Sequence, residues 1–559
     1  TLSLNWLKRY LDISYTPEKI AEALTLIGLE VEGIEKVESI RGGLAGVVVG
    51  EVKTCEKHPD ADRLSLTTVD TGSGELLQIV CGAPNVAAGQ KVLVATIGTT
   101  LYSAAGEPWT IKKRKIRGAE SQGMICAEDE LGLGGDHSGI VVLPPDTPVG
   151  TTAAEYYGIE DDFVFEVGLT PNRSDATSQL GVARDLLAYL KVNENYQDEL
   201  KDPDLSDFVT ERVALNIDVE VLDRKACTRY TGISVNNVEV KESPDWMQKL
   251  LRAIGVKPVN NIVDITNFVL NELGQPLHAF DAEKIQDKKI VVRTLAAGTE
   301  FTTLDGSVRK LAEEDLMICD GQSNGLCMAG VYGGLGSGVT HITRHIFLES
   351  ACFDARSIRR TSTRHNLRTD AARVFEKGSD PNITVLALKR AAGLIRKLAG
   401  GAISDLTVDV YPQPVRMAEI RLFFSKVRGL TGVDISEDEI YAILQAMEME
   451  ITPFDDESIL VRVPTNKADV TREVDLIEEI LRIYGLNRVP VSSQIRSTIS
   501  YSPKPDRFKT KETISDFLSS NGFNEMMGLS LIESRWYEGT QLADPDRFVY
   551  INNTSNVQL

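Results

Sequence analysis

PTNKADVTREVDLIEEILRIYG, residues 464–485, is the stretch from which the organisation of this chain is read. Pro464 and Thr465 close a strand-like LVRV segment, and Gly485 supplies a helix stop. Leu476, Ile480 and Ile483 recur at helical spacing, with Ile477, Leu481 and Tyr484 beside them. Asp475, Glu478 and Glu479 fall at i, i+3 and i+4, so three carboxylates crowd one helical face. Asp469 stands on the loop that leads in. Such crowding repels itself unless a cation or a basic partner neutralises it. Two readings stay open: a solvated acidic face, or a hard-cation site for Mg²⁺ or Ca²⁺.

The 559 residues exceed what one core can hold and predict roughly three to five domains. A composition 42% hydrophobic and 25% charged is that of an ordinary globular protein. Apolar runs such as Gly139–Leu143 are too short to cross a bilayer, so no membrane partner is expected. Lys8, Arg9 and Asp12 interrupt the N-terminal apolar residues, unlike a signal peptide. Seven cysteines lie scattered without a CxxC pair, which predicts reduced thiols and a cytoplasmic location. A net charge of −21 argues against unselective nucleic-acid binding by the whole surface. Screening within about 8–10 Å still lets a local basic patch act alone. Lys112, Lys113, Arg114, Lys115 and Arg117 form one such patch. Arg356, Arg359, Arg360, Arg364, Arg368 and Arg373 form another.

Working outward to the N-terminus, Trp6, Leu7, Tyr10 and Leu11 suggest a first helix. Thr16-Pro17-Glu18 opens a second, lined by Ile20, Leu24 and Ile27 and ended by Gly28. From 40 to 150 the texture changes to short β-type runs: Val47–Val52, Leu64–Val69, Leu76–Val80, Lys91–Ile97 and Gly139–Leu143. Five short strands with Gly- and Pro-rich turns suit a small OB-type barrel. VVVGEV, HPDADRL, IVCGAPNV, KIRGAESQGMICAEDELGL and GIVVLP then resemble, in order, the tRNA-binding OB module of bacterial phenylalanyl-tRNA synthetase beta subunits.

The resemblance continues along the chain and divides it. Residues 1–39 with 151–193 would form an N-terminal domain around the OB module of 40–150. Residues 194–211, rich in Asp and Glu against the single Lys201, read as a solvated acidic linker. NIVDITNFVLNELGQPLHAFD, CMAGVYGG, IFLESACFD and SIRRTSTRHNLRTDAARVFEKGSDP in 212–411 resemble the family's mixed α/β editing domain, B3/B4-like, with His278 in a turn. FSKVRGLTGVDISEDEIYAILQAMEMEI in 412–489 resembles its small DNA-binding-like, B5-like domain, where Ser436 and Glu439 spell a capping box. After 490, a helix through Ile514, Phe517 and Leu518 and strands in MMGLSLIES and RFVYINN would begin a catalytically silent class II synthetase-like fold. The family continues beyond Leu559, so the chain is expected to be C-terminally incomplete. The fold class is thus multidomain α+β.

Two decoys are set aside. GGLGSG at 333–338 is followed by a β-branched run rather than a helix, so a dinucleotide loop fails. His341 and His345 in a strand-like segment would stand ~13–14 Å apart on one face, too far for one ion.

No Walker loop, GxSxG elbow or class I HIGH and KMSKS motif occurs, nor a convincing class II ATP motif. The resemblance accounts for this: adenylation with ATP belongs to an alpha subunit, in an α2β2 assembly acting on tRNA(Phe). The beta chain would contribute assembly, tRNA contacts and hydrolysis of mischarged Tyr-tRNA(Phe). By motif position, the family's editing residues fall on Thr266, Asn267, His278 and Glu349, with Gly333, Thr369 and Ala371 lining the pocket. Glu349 would accept the tyrosyl hydroxyl, while His278, Thr266 and Asn267 position a water or the RNA 3′ end. Arg360, Arg364, Arg368 and the Lys112–Arg117 run would hold phosphates. The carboxylates of Asp469, Asp475, Glu478 and Glu479 would hold Mg²⁺ at the alpha contact, one or two of them directly. Asn466-Lys467-Ala468 stands where the family commonly has PxxRxD, which leaves the partner of Asp469 open. Competing readings are a free-standing tRNA-binding or trans-editing factor, and a metal nuclease on the 469–479 carboxylates. The first has no need of a synthetase-like region, and the second lacks a basic catalytic residue nearby.

Overall fold

The computed structural model describes residues 1–559 apart from 103–105, 160, 214, 492, 495–505, 538, 541–543, 545–546 and 552–559. Two compact units result, Thr1–Pro490 and Val491–Leu559. In the first, Ser3 caps a single helical turn, Leu4–Leu7. Thr16 accepts the amide hydrogen of Lys19 and Pro17 opens Pro17–Leu26, which buries Ile20, Ala23 and Leu24. Strand Glu30–Val37 pairs with Asp162–Gly168, which in turn pairs with Leu2–Ser3. Chain segments on both sides of residues 38–161 therefore share one antiparallel sheet. Helix Gln179–Asn193 adds Leu180, Ala183, Leu187 and Leu190 to its core.

Between those segments lies a nearly closed barrel-like sheet. Its strand order is Gly123–Ile125, Lys91–Thr96, Val47–Lys57, Ser65–Asp70, Leu76–Cys81. Gln122 N–H donates to Gln78 O at 2.8 Å and Val80 N–H to Ser121 Oγ at 3.1 Å, tying the two edge strands together. Gly50 cannot be larger, since a Cβ there would lie 2.8 Å from Val69 and from Val94. Only Val142–Leu143 of the expected strand Gly139–Leu143 pairs, with Lys91–Thr96. The Asn85 side chain occupies both the N–H and the C=O of Ile140, each at 2.9 Å, and so removes that residue from the ladder.

Two further sheets follow. In one, Ala402–Ser404, Cys227–Asn236, His345–Phe353 and Leu277–Asp281 lie side by side. One face carries Ile233, Val235, Ala279, Ile346 and Leu348 against helices Asn261–Leu273 and Ile383–Ala399. The opposite face carries Tyr230, Phe280, Phe347 and Ala351 into a second core. That core is shared with the sheet of Asp218–Val221, Lys289–Thr294, Leu316–Asp320, Gly325–Met328 and Tyr332–Gly333. His278, expected in a turn, belongs to the edge strand Leu277–Asp281. Gly274-Gln275-Pro276 punctuates the sequence just ahead and hides the alternation of LHAFD. His341 lies in a turn and only His345 in a strand, so the two do not share a strand face.

Residues 194–211 are docked rather than free. Arg390 donates to Asp204 O at 2.6 Å, Lys397 pairs with Asp207 at 2.8 Å, and Phe208 packs on the core. The basic side chains of Ile383–Ala399 give this acidic run a surface to follow.

Ala418–Phe423, Ser458–Val463 and Glu450–Asp455 form an antiparallel sheet with Ser458–Val463 central. Ser436 and Glu439 make the capping box of Glu437–Ala446. Helix Glu473–Tyr484 turns Leu476, Ile480 and Ile483 into the core that Gln179–Asn193 also enters.

In Val491–Leu559, Asp506 caps helix Arg507–Ser520, and Gly522 follows at φ +87°. MMGLSLIES, 526–534, forms no strand: Met526, Met527 and Leu529 are exposed, with no partner strand beside them among the described residues. The described part of RFVYINN, 547–551, is likewise not a strand, and 552–553 lie outside the described residues. Among the described residues of this unit, the strands expected for a synthetase-like sheet are thus not formed. Among the described residues no helix is long and apolar enough to cross a membrane.

Candidate functional site

Register across three strands builds the first site. Gly232, Glu349 and His278 stand opposite one another on Cys227–Asn236, His345–Phe353 and Leu277–Asp281. They share the face of Phe280 and Phe347, which is the face of the second core. Gly232 is obligatory, because a Cβ would meet the Phe347 ring at 2.2 Å. Glu349 is 5% exposed, and its Oε2 accepts a 3.0 Å hydrogen bond from the hydroxyl of fully buried Tyr230. Burial pushes the Glu349 carboxyl up to about 8, the Tyr230 bond opposing it. Burial also drives the Tyr230 phenol far above its ordinary value, with the Glu349 charge adding to it.

His278 packs edge-on to Phe280 with ring centres 4.4 Å apart. Its Nε2 is buried without a hydrogen-bond partner among the described residues. Burial lowers its pKa to about 4, so the imidazole is neutral at neutral pH. Beside it, a Cβ on Gly333 would stand 3.0 Å from His278 Cε1 and 2.9 Å from Leu304 Cδ1. Thr369 caps Asp370–Lys377 and donates its hydroxyl to Val331 O at 2.8 Å, two residues from Gly333. Ala371 packs half-buried against the same core.

Thr266 and Asn267 are not brought into this group. They lie on Asn261–Leu273, whose stripe of Ile262, Ile265, Phe268 and Val269 packs on the other face of the sheet. The Thr266 hydroxyl is used within its helix, donating to Val263 O at 2.7 Å. Tyr230 is the member that sequence reasoning missed, since it lies 119 residues from Glu349 and carries no local motif.

Cations near the two basic stretches divide by their pairing. Arg364 is paired with Asp315 and Glu314, each at 2.6 Å, so its charge is already engaged within the chain. Acidic neighbours on the facing loop, invisible in the local sequence, claim its charge. Arg360 and Arg368 are exposed and form no ion pair among the described residues. On the barrel, Lys113 pairs with Glu120 at 2.9 Å. Lys112, Arg114, Lys115 and Arg117 are exposed and form no ion pair among the described residues.

The carboxylates of the acidic helix differ in their partners. Asp475 turns back on the helix start, accepting from the N–H groups of Thr471 at 3.1 Å and Arg472 at 2.8 Å. The Arg472 guanidinium beside it and those amides hold its pKa below the ordinary carboxylate range. Glu479 points inward to Lys467 Nζ at 3.0 Å and Arg482 Nη2 at 2.8 Å. Although burial opposes this, the two cations depress Glu479 to about 2. Lys467 also reaches Asp175 at 3.2 Å, and Asp185 binds Arg173 at 2.6 Å and Arg482 at 2.7 Å. This network ties the helix to the N-terminal sheet domain through Lys467, Arg173 and Arg482. Its sequence signal was Asp185, which stands beside Arg184 in an otherwise apolar stretch with Val182, Ala183, Leu186 and Leu187. Asp469 and Glu478 are exposed, with no hydrogen bond or ion pair among the described residues. All four carboxylates line one small cavity with Asn172, Arg173, Asp175 and Lys467. No ready-made set of three or more His, Cys, Asp or Glu ligands exists among the described residues.

Comparison with known proteins accounts for most of the chain. A putative tRNA binding domain matches residues 47–152, a B3/4 domain 226–400, and a tRNA synthetase B5 domain 420–486. The phenylalanine–tRNA ligase beta subunit of Bacteroides fragilis is 48% identical over all 559 residues, which cover 68% of its length. That of Porphyromonas gingivalis is 49% identical with the same coverage, and that of Geobacter metallireducens 41% identical over 98% of this chain and 67% of its own. An N-terminal fragment of the phenylalanyl-tRNA synthetase beta subunit of Pyrococcus horikoshii aligns with 58% of this chain and 87% of its own, at 16% identity and a TM-score of 0.31, too low to bear on the fold. On the sequence identities and the three domains together, this chain belongs to the phenylalanine–tRNA ligase beta subunit family.

Proposed function

We propose that this chain assembles with an alpha subunit as α2β2, contacts tRNA(Phe), and hydrolyses Tyr-tRNA(Phe) at the Glu349–His278 site. Adenylation with ATP falls to the alpha subunit. The observation that carries the editing reading is Glu349, a buried carboxyl group whose Oε1 has no hydrogen-bond partner among the described residues. A tyrosyl phenol entering the site can donate to that oxygen, whereas a phenylalanyl ring leaves it bare. An apolar pocket rejects an added hydroxyl by only about 10²-fold, but a site built to bond it can discriminate ~10⁴–10⁵ in its favour. Gly333 and Ala371 keep room for the ring. His278, neutral and weakly basic, suits orientation of the attacking water through Nε2 better than removal of its proton. Water adds to the ester carbonyl, the bond to the ribose oxygen breaks, and tyrosine and tRNA leave. Arg360, Arg368 and the Lys112–Arg117 run would meet the phosphates, while Thr266 and Asn267, on the opposite face of the sheet, take no part in the site. A cytoplasmic setting fits seven cysteines that are all unpaired.

For Mg²⁺ the residues fit in part. Asp475 and Glu479 are saturated by their own chain, and Asp469 and Glu478 remain to hold the ion among waters, as Mg²⁺ prefers. When bound it supplies a fixed positive charge at the alpha contact. In the assembled enzyme, Glu349→Ala and His278→Ala are expected to slow Tyr-tRNA hydrolysis by about 10²-fold or more while charging with phenylalanine persists. Unchanged hydrolysis in both variants would sink the assignment.

A further inference from the structure

The barrel carries an open cavity of about 450 Å³ that no part of the editing or acidic-helix reading uses. It opens between the loop after Leu76–Cys81, the Arg114–Ile116 hairpin and the loop at 137–140. Its floor is apolar: Ile111 and Ile125 are buried there and Met124 lines the wall. Trp109 stands at the mouth, 39% exposed, on strand Pro108–Thr110. At the rim are Lys112 and Arg114, which form no ion pair among the described residues.

The polar groups around this cavity are largely spent. Ser121 Oγ accepts from Val80 N–H and donates to Gly123 O, Glu130 is bonded to Ala127 N–H, and His137 pairs with Asp129. Asn85 pins the 139–140 wall through Ile140. What remains is a slot with an apolar floor, an aromatic face and two cations that form no ion pair among the described residues. Flat apolar body and anionic tail is the chemistry of a nucleotide, and the volume lies within the usual range for small-ligand sites. Such cations on a chain of net charge −21 point the same way.

We infer that this cavity takes one unstacked nucleotide of an RNA strand, the base against Trp109 and over Ile111 and Ile125, its phosphate on Lys112 and Arg114. The inference rests on reading this domain as RNA-binding, and it adds that a single-stranded position, not only a backbone track, is held here. With hydrogen-bonding groups already used, recognition is by stacking and charge and is tolerant of base identity.

The test is binding of the full chain to a labelled single-stranded RNA decamer, to its duplex, and to UMP and AMP, across a salt series. Trp109→Ala is expected to weaken decamer binding about tenfold at every salt concentration, Trp109→Phe to restore most of it, and duplex binding to stay unchanged. Lys112→Gln with Arg114→Gln is expected to weaken decamer and duplex alike and to flatten the salt dependence. Decamer binding indifferent to Trp109→Ala but lowered by the charge pair overturns the nucleotide slot and leaves backbone binding standing. Indifference to both sets overturns the RNA reading as well. Mononucleotides bound as tightly as the decamer, or a Trp109-dependent protein ligand in place of RNA, also overturn it.

Discussion

Tyr230 donates its hydroxyl hydrogen to Oε2 of Glu349 across 3.0 Å, and neither residue is more than 5% exposed. The chain thus presents its own phenol to the carboxyl group proposed to read a substrate phenol. One oxygen is fixed by Tyr230, which aims the other. Tyr230→Phe frees Oε2 and lets the carboxyl group turn. The expected outcome is a loss of roughly 1–3 kcal/mol in stability, because a buried acceptor loses its partner. A fall in the preference for Tyr-tRNA over Phe-tRNA hydrolysis should accompany it. Parallel melting curves and deacylation of both charged tRNAs check this; stability loss with intact preference would make Tyr230 merely structural.

Glu349 also sets a pH dependence whose sign is fixed. Its carboxyl group is raised from 4.5 to about 8, so the folded state holds a proton that the unfolded state releases. The stability tied to that proton is complete below about 4.5 and is lost as pH rises to about 8. Over that window the wild type should lose on the order of a few kcal/mol relative to Glu349→Gln, which carries no titrating group. Melting temperatures of the two proteins between pH 5 and pH 8, at ~1 pH unit intervals, check the slope. Parallel curves would show that Glu349 ionises normally.

Gly333 is a specific steric test of His278. An added methyl would stand 3.0 Å from the imidazole Cε1 and 2.9 Å from Leu304 Cδ1, so the ring or Leu304 must shift. Gly333→Ala is expected to cut Tyr-tRNA hydrolysis by about tenfold or more, since small misplacements of a positioning group are costly. Its melting curve should move by less than that of Tyr230→Phe. A variant that hydrolyses like the wild type would show that the space beside His278 is not used.

What could be read from the chain and what could not follow from how local each signal was. Helix Glu473–Tyr484 was legible because its stop residue and its apolar period lie within one stretch. The capping box at Ser436 was legible for the same reason. His278 was misplaced because the Gly274–Pro276 punctuation masks a strand whose pairing partner lies some seventy residues away in sequence, at Glu349. The editing positions were assigned by resemblance, while Tyr230 and the Asp185 network depend on contacts between distant segments that leave no periodic trace. Burial also lay outside the local signal of the acidic helix, since Glu479, read as one of four carboxylates for Mg²⁺, lies in the interior against Lys467 and Arg482.

That interior network supplies the next expectation. Asp185 is shared by Arg173 and Arg482 and has Lys467 at 4.0 Å, so Asp185→Asn strands buried cations. Removing one member of such a cluster costs about 3–5 kcal/mol, against less than about 1 kcal/mol for an exposed pair such as Lys19–Glu194. Asp185 and Glu479 are both held below their ordinary values, so their contribution is present above the unfolded carboxylate range and is lost as pH falls below it. Denaturant midpoints of Asp185→Asn and Lys19→Gln, taken at neutral and acid pH, compare the two sites. A difference that persists undiminished at low pH would contradict the buried-charge account.

The two carboxylates left out of that network bear on assembly. Asp469 and Glu478 are exposed and unengaged among the described residues, yet they line the same small cavity as Asp475 and Glu479. Asp469→Asn with Glu478→Gln should leave the melting temperature of the isolated chain unchanged, because no contact within the chain is lost. Asp475→Asn should lower it by about 1 kcal/mol of stability through the weakened helix cap. If Mg²⁺ is held by the first pair, that double variant should bind it more weakly by calorimetry and associate more weakly with the alpha subunit. Chelation of the wild type should reproduce the second effect. Association that survives both chelation and the double variant would remove the ion from the subunit contact and leave Asp469 and Glu478 as a solvated acidic edge.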